Sequence, residues 1–289
     1  MASIKYNSVS LIPYYGGKGT ANYQNRLKRL LEMAKAENGA TTALDIFGGA
    51  GHISLNITDI FDKVIYNEYD KCLAMFFSVL KDKEKRDELV MTLESIEPSK
   101  DSFKYARTLW DNVDKLDDIE MTDVEKACLP FLCAEWSFQG NLIQPDDRKI
   151  LNTDKTQNDI QKFLLDEIQN ILEVMEIRQG DYWDVMKEHL HDKDAIILND
   201  PPYVSASRHS ACSELYQGEF SDGQHIELIQ RCNQATVPIL LCGYDCELYE
   251  KYIRPEEGWQ KVFVSYSNQG GKNPKAEYVW CRNFKVENM

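Results

Sequence analysis

The chain has 289 residues, 43% hydrophobic and 28% charged, with 33 bases against 47 acids for a net charge of −14. These are the proportions of one large globular domain, or of one carrying an insert, and they exclude a disordered or fibrous chain. The 15 glycines and 9 prolines exclude collagen-like and linker-dominated architectures, and no apolar run approaches the roughly 18 residues of a membrane span.

The N-terminus, MASIKYNSVSL, lacks the apolar stretch of a signal peptide. The eight cysteines are scattered without a CxxC pair, so they read as reduced, mostly core thiols of a cytoplasmic protein. Neither a metal site nor a membrane partner is expected, and a monomer or weak dimer is. The net charge argues against nucleic acid, but it is unevenly spread. Residues 1–31 contain five bases and no acid, and residues 259–285 contain five bases against Glu277 alone. Residues 71–160 carry 13 bases and 19 acids. A basic face built from the two ends, with Arg26, Lys28 and Lys272, is the candidate for contact with DNA phosphates.

In chain order, Leu27, Leu30, Leu31 and Ala34 recur at helical spacing within 20–38. An apolar run, Thr41–Phe47, stops at a glycine loop, and helical spacing resumes over Ile53–Ile60. Lys63–Asn67 reads as a second strand, ending at Glu68, and 71–81 as a helix. This βαβα order predicts a parallel, doubly wound α/β sheet. Residues 81–159 are highly charged and mostly helical in pattern, and read as an inserted subdomain between segments 1–80 and 160–289, which together form the main domain. The α/β pattern then returns: helix 159–176, strand 177–180, helix 182–190, strand 195–198, helix 222–235, strand 237–242 and helix 245–252. Strands 261–266 and 277–284 form an antiparallel hairpin.

Two stretches carry chemistry. The loop Asp45-Ile46-Phe47-Gly48-Gly49-Ala50-Gly51 lies between a strand and a helix, where glycines let backbone approach a ligand closely. Glu68, at the end of the next strand, could accept hydrogen bonds from both ribose hydroxyls of a nucleoside. The plainer reading is a tight turn in an ordinary βα unit. The second stretch is Asp200-Pro201-Pro202-Tyr203, directly after an apolar strand. The exocyclic amino group of a base is a poor nucleophile because its lone pair is delocalised into the ring. A carboxylate (Asp200) and a carbonyl (Pro201) accepting its two protons would push it towards tetrahedral geometry, and Tyr203 would stack on the base. A proline-terminated strand with a capping Asp is the alternative. His209, His225, Cys242, Cys246, Trp110, Trp136 and Trp183 read as packing residues.

These stretches stand in the order found in a known family. Pro13-Tyr14-Tyr15-Gly16-Gly17-Lys18, the loop Asp45 to Gly51 with Leu55-Asn56 behind it, Asn67-Glu68-Tyr69-Asp70 and Asp200 to Tyr203 resemble Dam-type adenine-specific DNA methyltransferases. So do Glu219-Phe220 before His225, Cys242-Gly243-Tyr244, and Glu277 to Trp280 with Asn283-Phe284. The phage and prophage members are most similar. The resemblance implies a Rossmann-like methyltransferase sheet with a helical target-recognition insert, S-adenosylmethionine as cofactor, and a target adenine flipped out of duplex DNA. It implies cofactor contacts at Tyr14, Tyr15, Gly16, Gly17, Lys18, Asp45, Phe47, Gly48, Gly49, Gly51, Glu68, Asp181 and Asp200. Transfer would take place at Asp200, Pro201, Pro202 and Tyr203. Tyr14 stands where the family often has Trp, Glu68 where it usually has Asp, and the insert is acidic where others are often basic. Restriction, phage self-protection and regulation all fit such an enzyme. An RNA adenine methyltransferase and a non-catalytic cofactor-binding DNA-binding protein are the alternatives. Amide methylation of protein is disfavoured, because those enzymes usually have Asn in place of Asp200.

Overall fold

A computed structural model describes residues 8–14, 16–113, 121–207, 220–267 and 274–287. Helix α1 (Ala21–Asn38) buries Tyr23, Leu27, Leu30, Leu31 and Ala34 and ends on Gly39 in the left-handed conformation. Strand β1 (Thr42–Asp45), strand β2 (Lys63–Glu68) and helix α2 (Lys71–Lys81) follow. Six helices come next: α3 (Lys83–Ser95), α4 (Lys100–Asp111), α5 (Asp123–Glu135), α6 (Asp147–Ile150), α7 (Thr153–Gln161) and α8 (Asp166–Val174). The chain then alternates through β3 (Met175–Gln179), α9 (Tyr182–His189), β4 (Ala195–Asn199), α10 (Asp222–Gln234), β5 (Ile239–Tyr244) and α11 (Glu247–Tyr252). It closes with β6 (Gln260–Ser267) and β7 (Lys275–Arg282).

The strands form one seven-stranded sheet in the order β3-β2-β1-β4-β5-β7-β6. Strands β1 to β5 are parallel, and β7 runs antiparallel to both β5 and β6. β1, β4 and β5 are buried along their whole length, as expected for a sheet covered on both faces. Alternation along the strands separates two cores. Ala43, Val64, Ile196, Leu198 and Leu240 face one core; Leu44, Ile65, Ile197, Ile239 and Leu241 face the other.

Helices α3 to α8 do not build a core of their own. Leu89, Phe103, Trp110, Phe131 and Phe163 share a single cluster with Phe76 and Phe77 of α2. Phe163 packs edge-on against both Phe76 and Phe131, with ring centroids 5.6 and 5.4 Å apart.

Two helical expectations need correction. Ile53–Ile60 contains only a short 3-10 turn at Ser54–Asn56. Side chains compete there with helix formation: the Asn56 amide donates to Val9 and His52 carbonyls, and Ser54 donates to Asp45. The expected helix 159–176 is broken at Lys162–Leu164, and its last residues, from Met175, already pair with β2 as β3. The hairpin β6–β7 forms as expected. No helix among the described residues is long and apolar enough to cross a membrane.

Candidate active site

The carboxyl ends of β2, β1 and β4 stand side by side, so the loops that follow them converge, as in other open α/β sheets that bind ligands at this edge. After β1 the glycine loop turns under Glu68. One Glu68 oxygen accepts from the Gly49 amide at 2.7 Å and the other from the Asp70 amide at 2.9 Å. Burial nevertheless raises the Glu68 pKa to about 7. The Tyr66 hydroxyl donates to the Gly49 carbonyl at 2.7 Å. A Cβ on Gly48 would meet the Tyr66 ring at 2.2 Å, so only glycine fits there.

Asp45, at the end of β1, is fully buried. One of its oxygens accepts from the Ser54 amide and hydroxyl, at 3.2 and 2.7 Å. The other has no hydrogen-bond partner among the described residues. Burial raises its pKa to about 7, and the nearby Asp200 adds to that rise.

Asp200 follows β4. Its Oδ1 lies 3.3 Å from the Lys18 ammonium and has no well-aligned hydrogen bond among the described residues. Burial raises its pKa, and Lys18 pulls the other way. The same ammonium lies 4.4 Å from the Tyr203 ring centroid and 3.8 Å from Glu277 on β7. The Tyr203 ring packs edge-on against Tyr244 at 4.7 Å, and its hydroxyl donates to Glu277 at 3.4 Å. Pro201 is buried and Pro202 half-buried.

The N-terminal loop brings Lys18 here. Gln24 donates to the carbonyls of Lys18 and His52 at 2.8 and 3.0 Å. His52 packs beneath Gly17, where a Cβ would meet the imidazole at 2.5 Å. Burial, then Lys18, lowers the His52 pKa to about 4, so the ring is neutral. On the far side of the glycine loop Phe47 stacks on Tyr182 at 5.2 Å and meets Phe220 edge-on at 5.5 Å.

Residues 14–263 match the family described as D12 class N6 adenine-specific DNA methyltransferase. The chain belongs to that family. Its chemistry is methylation of the adenine amino group at specific sites in DNA. A comparison with curated proteins gave no match.

The geometry of the methyltransferase gathers most of the residues expected from sequence: Gly16, Gly17, Lys18, Asp45, Gly48, Gly49, Gly51, Glu68 and Asp200 to Tyr203. Tyr14 is half-buried and its carbonyl accepts from the Gly17 amide at 3.1 Å. Asp181 caps α9, and the neighbouring Gly180 amide donates to the Glu68 carbonyl at 3.0 Å, which sets Asp181 beside the β2 end. Tyr15, His209 and Lys272 lie outside the described residues. Lys28 is bound to Asp59 at 2.8 Å, and Arg26 donates to the Phe263 carbonyl at 3.1 Å with its guanidinium over that ring. Both join α1 to its surroundings rather than to the Asp200 site. Trp110 and Trp136 are buried, and His225 is a core residue bonded to the Tyr249 hydroxyl at 3.1 Å.

Tyr244 and Glu277, read from sequence only as part of the family's C-terminal run and given no role, belong to the site as well, and so does His52, which was not singled out. Glu277 carried a further signal, as the one acid in the base-rich segment 259–285.

Proposed function

We propose that this enzyme uses S-adenosylmethionine as methyl donor and that Asp200, Pro201 and Tyr203 receive the target adenine. One observation carries the reading: a largely buried carboxylate, an ammonium 3.3 Å away and an aromatic ring 4.4 Å from that ammonium. A nitrogen bearing hydrogens between a carboxylate and a π-face is the arrangement that methylation of an amino group requires.

The residues present fit a cationic nucleoside cofactor. Asp45, Glu68, Asp200 and Glu277 gather four carboxylates at the strand ends, and Lys18 stands against two of them, Asp200 and Glu277. Asp45 keeps a buried oxygen without a hydrogen bond among the described residues, and Asp200 Oδ1 is met only by the Lys18 ammonium at 3.3 Å, without good alignment. Buried carboxylates left in this state favour a positively charged ligand. Glu68 would hold the ribose, Asp181 would lie near the cofactor adenine, and Lys18 with the Gly16 and Gly17 amides would face the methionine carboxylate. When bound, the cofactor supplies an electrophilic methyl group on a sulfonium.

The protein's own contribution is orientation and charge. Asp200 and the Pro201 carbonyl accept the amino hydrogens, which draws the lone pair out of conjugation. Tyr203 covers one face of the base. Because the Asp200 side chain is only 15% exposed, the adenine has to leave the base stack to reach it. Helices α3 to α7 supply target recognition in this reading, with DNA phosphates along α1 and the β6–β7 hairpin. The direct test is to treat an unmethylated plasmid with enzyme and S-adenosylmethionine and map modified adenines by long-read sequencing. Methylated adenines within one short sequence are expected; an unmodified plasmid would overturn the reading.

A further inference from the structure

Glu277 lies on β7, the antiparallel strand, and not on any parallel strand whose end carries the expected site. Its side chain turns inwards and is 7% exposed. One oxygen accepts from the Tyr203 hydroxyl at 3.4 Å and sits 3.8 Å from the Lys18 ammonium. The other accepts from the Ser265 hydroxyl of β6 at 2.7 Å. Thus Ser265 anchors the carboxylate from behind, while its front oxygen faces the two groups that flank Asp200. An acid buried beside another acid is unfavourable unless its partners are fixed in place. Here those partners are the ring set to cover the base and the lysine set against the catalytic carboxylate.

We infer that Glu277 is a positioning residue for methyl transfer, holding the Tyr203 hydroxyl and the Lys18 ammonium in register with Asp200. The inference rests on the reading of Asp200 to Tyr203 as the transfer site. Glu277 touches neither substrate nor cofactor in this role. It locks the Tyr203 ring at its far end, and it places a second negative charge behind the point where positive charge develops on the accepting nitrogen. Ring position and local charge affect the transfer step, whereas the ribose end of the cofactor site, at Glu68, lies on the other side of β1.

The test is single-turnover methylation of unmethylated plasmid DNA at saturating tritiated S-adenosylmethionine, with cofactor affinity measured separately by calorimetry. Glu277→Ala is expected to slow transfer about 100-fold with the cofactor held saturating, as the separately measured affinity allows. Glu277→Gln keeps an acceptor for Tyr203 but not the charge, and is expected to slow it only about tenfold. On a Tyr203→Phe background, Glu277→Ala should cost clearly less than about 100-fold, because the two groups act as one unit. A purely structural role would give equal losses on both backgrounds, and that result overturns the inference. So does wild-type transfer by Glu277→Ala or, should that variant not fold, by Glu277→Gln. Asp200→Ala is run alongside. If it transfers at the wild-type rate, the reading of the site itself fails; if it is inactive while the Glu277 variants are normal, only the role of Glu277 falls.

Discussion

Glu68 and Asp200 are two carboxylates on either side of β1, and they are held in opposite ways. Glu68 is gripped by two backbone amides, Gly49 and Asp70, within a turn that Tyr66 also pins. Asp70 in turn caps α2 and accepts from the Trp110 indole at 2.8 Å, which ties this turn to helix α4. Asp200 is held by side chains alone among the described residues, the end of Lys18, itself shared with Glu277 and the Tyr203 ring, and the Tyr203 side chain. Backbone donors form a rigid cradle, whereas a lysine can move away when a ligand enters. In the proposed reading, the difference separates a preformed ribose end from a transfer end whose charges can rearrange around the arriving groups.

The sharpest break of this comparison is Asp200→Ala. Removing the group that orients the amino nitrogen should lower the transfer rate by about 10²–10³-fold or more, read as label incorporated into plasmid DNA. Next comes stability against pH. Asp45 and Glu68 have folded pKa values raised to about 7 from 3.8 and 4.5. Their protonated forms favour the fold, so this stability is fully present below about pH 4, is lost as pH rises to about 7, and stays lost above. Each group accounts for an effect on the order of 2–4 kcal/mol. Urea midpoints of the cofactor-free protein should therefore be higher at pH 5 than at pH 8, and Asp45→Asn should narrow the gap. An equal or reversed pair of midpoints would show that these carboxylates are already ionised without a ligand.

Glu68→Ala should weaken S-adenosylmethionine binding by roughly 1–3 kcal/mol, because charge-assisted hydrogen bonds are lost and the Gly49 amide is released. An unchanged dissociation constant in calorimetry would move the ribose elsewhere. The smallest effect concerns DNA. Arg26→Ala should reduce the slope of log K against log salt by about one, if the guanidinium leaves Phe263 for a phosphate. Lys28→Ala should change it less, since Lys28 is bound to Asp59 and 12% exposed. A larger effect at Lys28 than at Arg26 would put the basic face elsewhere on α1.

The two ends of the site were not equally legible in the sequence. The glycine loop, Glu68 and Asp200 to Tyr203 could be read because each is local: a strand, its terminating residues and one side chain lie together in the chain. The sheet was legible for the same reason, since β1, β4 and β5 are short apolar runs bounded by turn residues. What stayed hidden depends on distant encounters. Lys18 and Glu277 meet across nearly the whole chain, and no spacing rule reports that. The need for glycine at position 48 reflects the Tyr66 ring, and at 17 the His52 ring, as much as any ligand. The false helix at Ile53–Ile60 came from apolar spacing that Asn56 and Ser54 override through hydrogen bonds to Val9 and Asp45.

The central claim is that the rim carries excess negative charge, partly neutralised by protons until a cationic cofactor arrives. Its most direct test is calorimetric titration of S-adenosylmethionine into the protein at about pH 6.5, in two buffers of different ionisation heat. Near that pH, carboxylates with pKa values of about 7 are largely protonated, and a bound cation drives them to ionise. Net proton release on binding is predicted, smaller in Glu68→Gln and fading above about pH 8. No release, or net uptake, would contradict the account.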